Sequence, residues 1–363
     1  FSNQLANTTG SFSGSNYANI HTSSVGNLAL SNVNLDSAVA LNSWATGYIQ
    51  LGAYALGNDE IGQNTPNIQD AYLVFGNLAQ NPVYGFAGKK DIDFGSFQST
   101  QPYMQPLTRI YFMPFGNTAG IGYSKYGLNV TASVMNGGDT TDDTQSIGSI
   151  YQFGNTYTTN ANSVNDWALN ASYNAMTNGV NWTAGAGYLA GAQMEPSGND
   201  STGAWDLNAK ASVNNFDLLA EYVSTVHTAN SLSSGNGSYA SQNYGNDSTT
   251  FPNAILRAWS LGGDYKFPVM GYKSVAALEY SQVGQGHSQW NAYQYAASWS
   301  VQPISNVWAG ITYAYNKGLV GGALSGTSYI PAAGTGSTGN GGVVNGGSNA
   351  VNNTVLLDLT AYF

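Results

Sequence analysis

Charge in this chain keeps to one side of a two-residue repeat. In the segment from 204 to 213, Trp205, Leu207, Ala209, Ala211 and Val213 alternate with a set that holds Asp206 and Lys210. From 216 to 224, Phe216, Leu218, Ala220 and Tyr222 share one parity, and Asp217 and Glu221 take the other. Trp259, Leu261, Gly263 and Tyr265 leave Asp264 and Lys266 opposite, and Ala276, Leu278 and Tyr280 leave Lys273 and Glu279 opposite. At the end of the chain Val355, Leu357, Leu359, Ala361 and Phe363 leave Asp358 on the far side, and Asp36 and Asp70 follow the same rule. Successive side chains of a β-strand point to opposite faces. These segments therefore read as strands with one apolar face. A lysine or arginine facing lipid at mid-bilayer costs about 2 to 4 kcal/mol, and this segregation is what such a cost would leave. A soluble β-sandwich also alternates, but here the apolar face runs through nearly every strand. Tryptophans mark the strand ends: Trp44, Trp182, Trp299 and Trp308 near short turns, Trp167, Trp205 and Trp259 near long loops. Two aromatic girdles of this kind belong at the two interfaces of a membrane.

The connections sort into two classes. Strands near 33–41 and 44–53, 67–76 and 83–90, 119–125 and 128–136, 165–174 and 180–190, 204–213 and 216–224, 257–266 and 272–282, and 291–301 and 307–316 are followed by a last one at 354–363. Short turns alternate with long segments rich in Gly, Ser, Asn and Thr near 137–164, 191–203, 225–256 and 317–353. That is the plan of an all-β, transmembrane, antiparallel up-and-down β-barrel with short periplasmic turns and long extracellular loops. The count is fifteen strands, and bacterial single-chain barrels have even numbers. The expectation is therefore about sixteen strands in a single domain over 1–363. The first upward strand is expected within 1–25 or before Phe1, and an N-terminal portion is expected to have been removed or not to be included.

Composition excludes most other classes. Only 8% of residues are charged, against about 25% in soluble domains. No run approaches the roughly 18 apolar residues of a membrane helix. The formal net charge of -10 argues against nucleic acid, which needs a basic footprint. With no cysteine, thiol catalysis and Cys-based metal sites are out. His21, His227 and His287 fall in loops without ligand spacing. No nucleophile-elbow or phosphate-loop pattern sits between a strand and a helix. No enzyme activity, cofactor or metal site is expected.

The lumen is where chemistry should lie. Candidates for its lining or constriction are Lys89, Asp91, Asp93, Arg109, Asp206, Lys210, Asp217, Glu221, Asp264, Lys266, Lys273 and Glu279. A constriction that mixes acids with bases orients dipolar solutes. The segment 91–118 (DIDFGSFQSTQPYMQPLTRIYFMPFGNT) differs from the bland loops in its prolines, aromatic residues and Arg109. It either folds into the lumen and narrows it, caps the barrel from outside, or contacts a neighbouring subunit.

The runs NIQDAYLVFGNL and PVYGFAGKKDIDFGSF, with the proline-rich stretch to Arg109, resemble the LbtU family of siderophore porins found in Legionella and related bacteria. That resemblance implies a sixteen-stranded outer-membrane barrel that takes part in ferric siderophore uptake. It carries no residue-level motif for siderophore contact. The functional expectation is an outer-membrane channel for small solutes or a ferric siderophore, embedded in the lipid bilayer, with a homotrimer as the candidate assembly. The alternative is a structural or adhesive surface protein that acts through its long loops.

Overall fold

The computed structural model describes residues 2–9, 25–56, 67–102, 104–136, 164–193, 201–226, 255–285, 291–317 and 351–361. The elements are β1 (Ser2–Thr9), β2 (Val25–Asn42), β3 (Ala45–Leu56), β4 (Asn67–Phe75), β5 (Val83–Asp91), α1 (Leu107–Phe112), β6 (Phe115–Lys125), β7 (Leu128–Asn136) and β8 (Val164–Thr177). They continue with β9 (Val180–Gln193), β10 (Ser201–Val213), β11 (Phe216–Thr225), β12 (Leu256–Val269), β13 (Tyr272–Gln285), β14 (Asn291–Ile304), β15 (Val307–Lys317) and β16 (Val351–Ala361). Each strand pairs antiparallel with its sequence neighbours, and β1 pairs with β16, so the sheet closes into a barrel. The expected fold class is the observed one. β1 reads SNQLANTT and has no alternating apolar set, which is why pattern alone does not locate it.

Burial separates the two faces. Leu278 is 67% exposed, whereas its neighbour Glu279 is 7% exposed. Leu207 is 53% exposed and Asp206 1%. Large apolar side chains left outside a water-soluble fold would be costly, but on a barrel in lipid they are the matching surface. Rings on the long-loop side of β10–β15 run from strand to strand, Trp205 to Tyr222, Trp259 to Tyr280, Tyr280 to Tyr295 and Tyr295 to Tyr315, at 4.6 to 6.0 Å between centroids. Trp308 departs from this scheme, because it shares parity with the buried Thr312 and Asn316 on the inner face.

The hairpin turns follow from backbone chemistry. Tyr126-Gly127, Asn178-Gly179 and Met270-Gly271 have positive φ at both central residues, the geometry whose twist matches paired strands. A Cβ on Gly127 would come 2.1 Å from the carbonyl oxygen of Asn174, whereas one on Gly271 would meet nothing within 4 Å. In β4 the register jumps: Gln50 faces Asp70 while Leu51 faces Ile68. The extra residue, Gln69, is a β-bulge that lets Ile68 face out and Asp70 face in although both have the same parity. The long loops near 137–164, 225–256 and 317–353, on which the adhesive alternative rests, lie outside the described residues apart from their ends, as does most of 191–203.

Candidate functional site

The sheet delivers the chain at Asp91 to a segment, 92–114, that turns into the barrel. Its ends are pinned together where the Ile92 amide donates to the Pro114 carbonyl at 2.9 Å. Pro106 precedes α1 in extended conformation, with φ -66° and ψ 156°. A proline there sets φ and has no amide to leave unpaired. From this short helix Leu107 and Phe112 project into surroundings that leave them fully buried, and Phe94, Phe97 and Met104 are nearly so.

What buries them is the opposite wall. The Ser96 and Phe97 amides donate to Glu221 Oε1 of β11 at 2.9 and 2.7 Å. The Ser99 hydroxyl, the Thr100 amide and the Thr100 hydroxyl donate to Glu279 Oε2 of β13 at 2.8, 2.8 and 3.1 Å. The Leu107 amide donates to the Ser281 hydroxyl at 3.1 Å, and Met104 packs with Ala296, Ala314 and Leu356 of β14, β15 and β16. Glu221, Glu279 and Ser281 lie on the face opposite the exposed Leu218, Leu261 and Leu278. The segment thus crosses the lumen, as the first of its three expected placements required.

Two wall glycines make the seat. A Cβ on Gly262 would stand 2.7 Å from Thr100 Oγ1, and one on Gly187 would stand 3.1 Å from both the Gly95 nitrogen and Phe94 Cδ2. Hydrogen bonds to a charged acceptor contribute about 1.5 to 3 kcal/mol each, and each fully buried Leu, Phe or Met about the same. Five such donors and five such side chains are spread from Phe94 to Phe112, so the segment is docked along its whole length.

Docking on β9–β16 leaves inner-face residues of β2–β4 uncovered. Asp36, Ala38 and Ala40 on the inner face of β2 are exposed, and Tyr48, Gln50, Asp70 and Tyr72 of β3 and β4 are half-buried. Across the barrel the inner-facing Gln294, Thr312 and Asn316 are buried.

Of the expected site residues, Asp206, Glu221 and Glu279 lie beneath the segment, with Asn208 donating to Asp206 at 2.5 Å. Lys210 reaches Gln98 of the segment at 3.4 Å. Asp217 pairs with Lys266 at 2.6 Å, with Asp264 as its cross-strand partner, so these form a mixed-charge group towards the short-turn end. Lys273 lies exposed at that same end. Arg109 sits half-buried on α1, and Asp93 pairs with Lys90 at 2.9 Å.

Lys89 and Asp91 require correction. They share parity with the outward Val83 and Ala87, and Lys89 Nζ donates to the Ile68 carbonyl while lying over the Phe115 ring. Adjacent residues of a strand face opposite ways, and it is Lys90 that takes the inner side, over the rings of Tyr72 and Phe86 at 5.9 and 4.7 Å. The outward charges Lys89, Asp91, Lys125, Arg257 and Lys317 all fall within two residues of a strand end, where a charge on the lipid face costs about 0 to 1 kcal/mol. The parity of β5 with Val83 carries this signal in the sequence. The inner positions of Lys90, Asp36 and Asp70 make them part of the passage wall as well.

No protein-family model matches the chain, and no curated protein sequence does. Solved structures do. OprB of Pseudomonas putida aligns at TM-score 0.60 and 11% identity, over 99% of this chain and 92% of that one. The anion-selective porin of Comamonas acidovorans aligns at 0.57 and 12%, over 100% and 98%. The trimer form of OmpT of Vibrio cholerae aligns at 0.54 and 12%, over 99% and 96%. At such identities the fold is what is shared. This chain has the architecture of the bacterial outer-membrane porins.

Proposed function

We propose that the protein is an outer-membrane channel that lets small solutes diffuse past an inward-folded segment. The observation that carries this reading is the asymmetry of the lumen: residues 92–114 are docked on β9–β16, and inner-face residues of β2–β4 stay uncovered. A solute passing there meets Asp36, Asp70, Lys90 and Arg109, with Asp217, Lys266 and Asp264 below. Acids and bases in one passage act on dipoles and charges at short range. A barrel closed on itself has no edge to pair with a partner, which suits a role carried out inside the lumen.

The test is conductance of the purified protein in planar bilayers. Discrete channel steps are expected, and deletion of residues 95–112 should enlarge them several-fold. A folded barrel that gives no steps, and gives none after the deletion, overturns the channel reading. Uptake of a ferric siderophore is the narrower form, supported by the resemblance over Asn67–Phe115. It requires slower growth under iron limitation when the protein is absent, and equal growth would count against it. A trimer, the form of the Vibrio protein, is the proposed assembly. Native mass in mild detergent checks it.

A further inference from the structure

The described inner wall is mostly Gly, Ala, Ser, Thr and Asn, which is what a water-filled passage needs. The inner face of β3–β5 departs from this by presenting four rings: Tyr48, Tyr72, Tyr84 and Phe86. Tyr48 and Tyr72 are direct cross-strand partners, with ring centroids 5.1 Å apart. Small residues flank the pair in the same row, Ala38 on β2 and Gly88 on β5. The next row towards the long loops reads Asp36, Gln50, Asp70 across β2, β3 and β4. Gln50 Nε2 donates to Asp36 Oδ1 at 2.7 Å and the Tyr48 hydroxyl donates to the same oxygen at 3.3 Å. These bonds hold the Asp36 carboxylate at the hydroxyl end of Tyr48.

An ammonium group already rests on this wall. Lys90 Nζ lies over Tyr72 and Phe86 and pairs with Asp93, and Phe86 is only 5% exposed. Tyr48 and Tyr72 are less covered. Ring faces attract cations, more strongly when water is partly excluded. Of the charges around these rings Asp93 and Lys90 pair with each other, which leaves Asp36 and Asp70 against Arg109 of the inward segment.

We infer that the inner face of β2–β5 is a subsite for solutes bearing an ammonium group. The Tyr48–Tyr72 pair takes the cation on its ring faces, and Asp36 and Asp70 on either side of Gln50 supply the opposing charge. A neutral sugar would use the rings and donate hydroxyls to the acids, but would bring no charge to offset theirs. A small hydrated metal cation would use the acids but gain nothing from the rings. The combination selects an organic cation. This inference rests on the channel reading for its access route, but binding itself does not need conduction.

The experiment uses tetraethylammonium and maltose as probes, each added to the channel in a planar bilayer with potassium chloride. Tetraethylammonium is expected to interrupt the potassium current at concentrations where maltose does not. Tyr48→Ala with Tyr72→Ala, and separately Asp36→Asn with Asp70→Asn, should each weaken that block about tenfold. Ile49→Ala, on the outward face of β3, serves as control and should leave the block as it was. Equal block by maltose, or block that survives the tyrosine pair of substitutions, overturns the proposal. Calorimetric titration of tetraethylammonium into the detergent-folded barrel separates the two readings. Heat that vanishes in the tyrosine variant supports the subsite even if no current flows, and no binding to the wild-type chain sinks it.

Discussion

Lys89 and Lys90 show how much a single step along a strand decides. Both are lysines, adjacent in sequence, yet one snorkels along the outer rim to the Ile68 carbonyl and the other lies on the rings of the passage wall. Long basic side chains bury their stems against apolar surface and keep the charge near polar groups. The expected outcome is that Lys90→Met shifts the reversal potential of the channel in a salt gradient towards cations, and Lys89→Met does not; bilayer recordings decide this. Glu279 offers a second case, because one carboxylate oxygen accepts three donors from the inward segment. Glu279→Ala should loosen that attachment by about 2 to 5 kcal/mol. Hydrogen exchange at the Thr100 amide should then quicken at least tenfold, with Glu279→Gln intermediate because it keeps an oxygen acceptor.

Among the elements, hairpins and the inward segment draw on different physics. Gly127 and Gly271 sit in the same kind of turn with φ near +84°, but only Gly127 faces a backbone oxygen that a Cβ would strike. Gly271→Ala should cost about 1 kcal/mol, the ordinary penalty of that conformation, and Gly127→Ala clearly more; unfolding midpoints in urea compare them. Most strands were legible from residues such as Leu207 and Leu278, whose parity against Asp206 and Glu279 is the imprint of lipid on one side and water on the other. β1 was not legible, since SNQLANTT alternates nothing, and the start of β6 at Phe115 was hidden because Gly116, Asn117 and Thr118 lack an apolar set. The bulge at Gln69 also escapes pattern reading, because it changes which face a residue takes without changing the residues. For the site, strand parity alone puts Glu221 and Glu279 opposite the apolar face. That they would grip backbone amides of residues 96–100 depends on contacts across the barrel, and strand spacing contains no information about those.

At the scale of the whole molecule, stability is divided between a lipid-facing outside and a polar inside that the segment 92–114 partly fills. Leu278 stands mid-strand on the outer face of β13 and is 67% exposed. Leu278→Arg should therefore destabilise the barrel by about 2 to 4 kcal/mol in bilayers, measured by reversible unfolding in lipid. A charge at the level of Lys89 costs far less there. The ring-shaped topology adds a constraint of its own. The seam that completes it joins Ser2–Thr9 to Val351–Asp358, the two most distant stretches of the described chain. Hairpins of neighbouring strands assemble early and cheaply, whereas this seam must wait for the whole cylinder to curl round. Until it zips, two raw sheet margins stand open to any strand from another chain. The same pairing that makes the finished wall continuous therefore makes its last step the moment of greatest vulnerability, and a helper that shields those margins would act there.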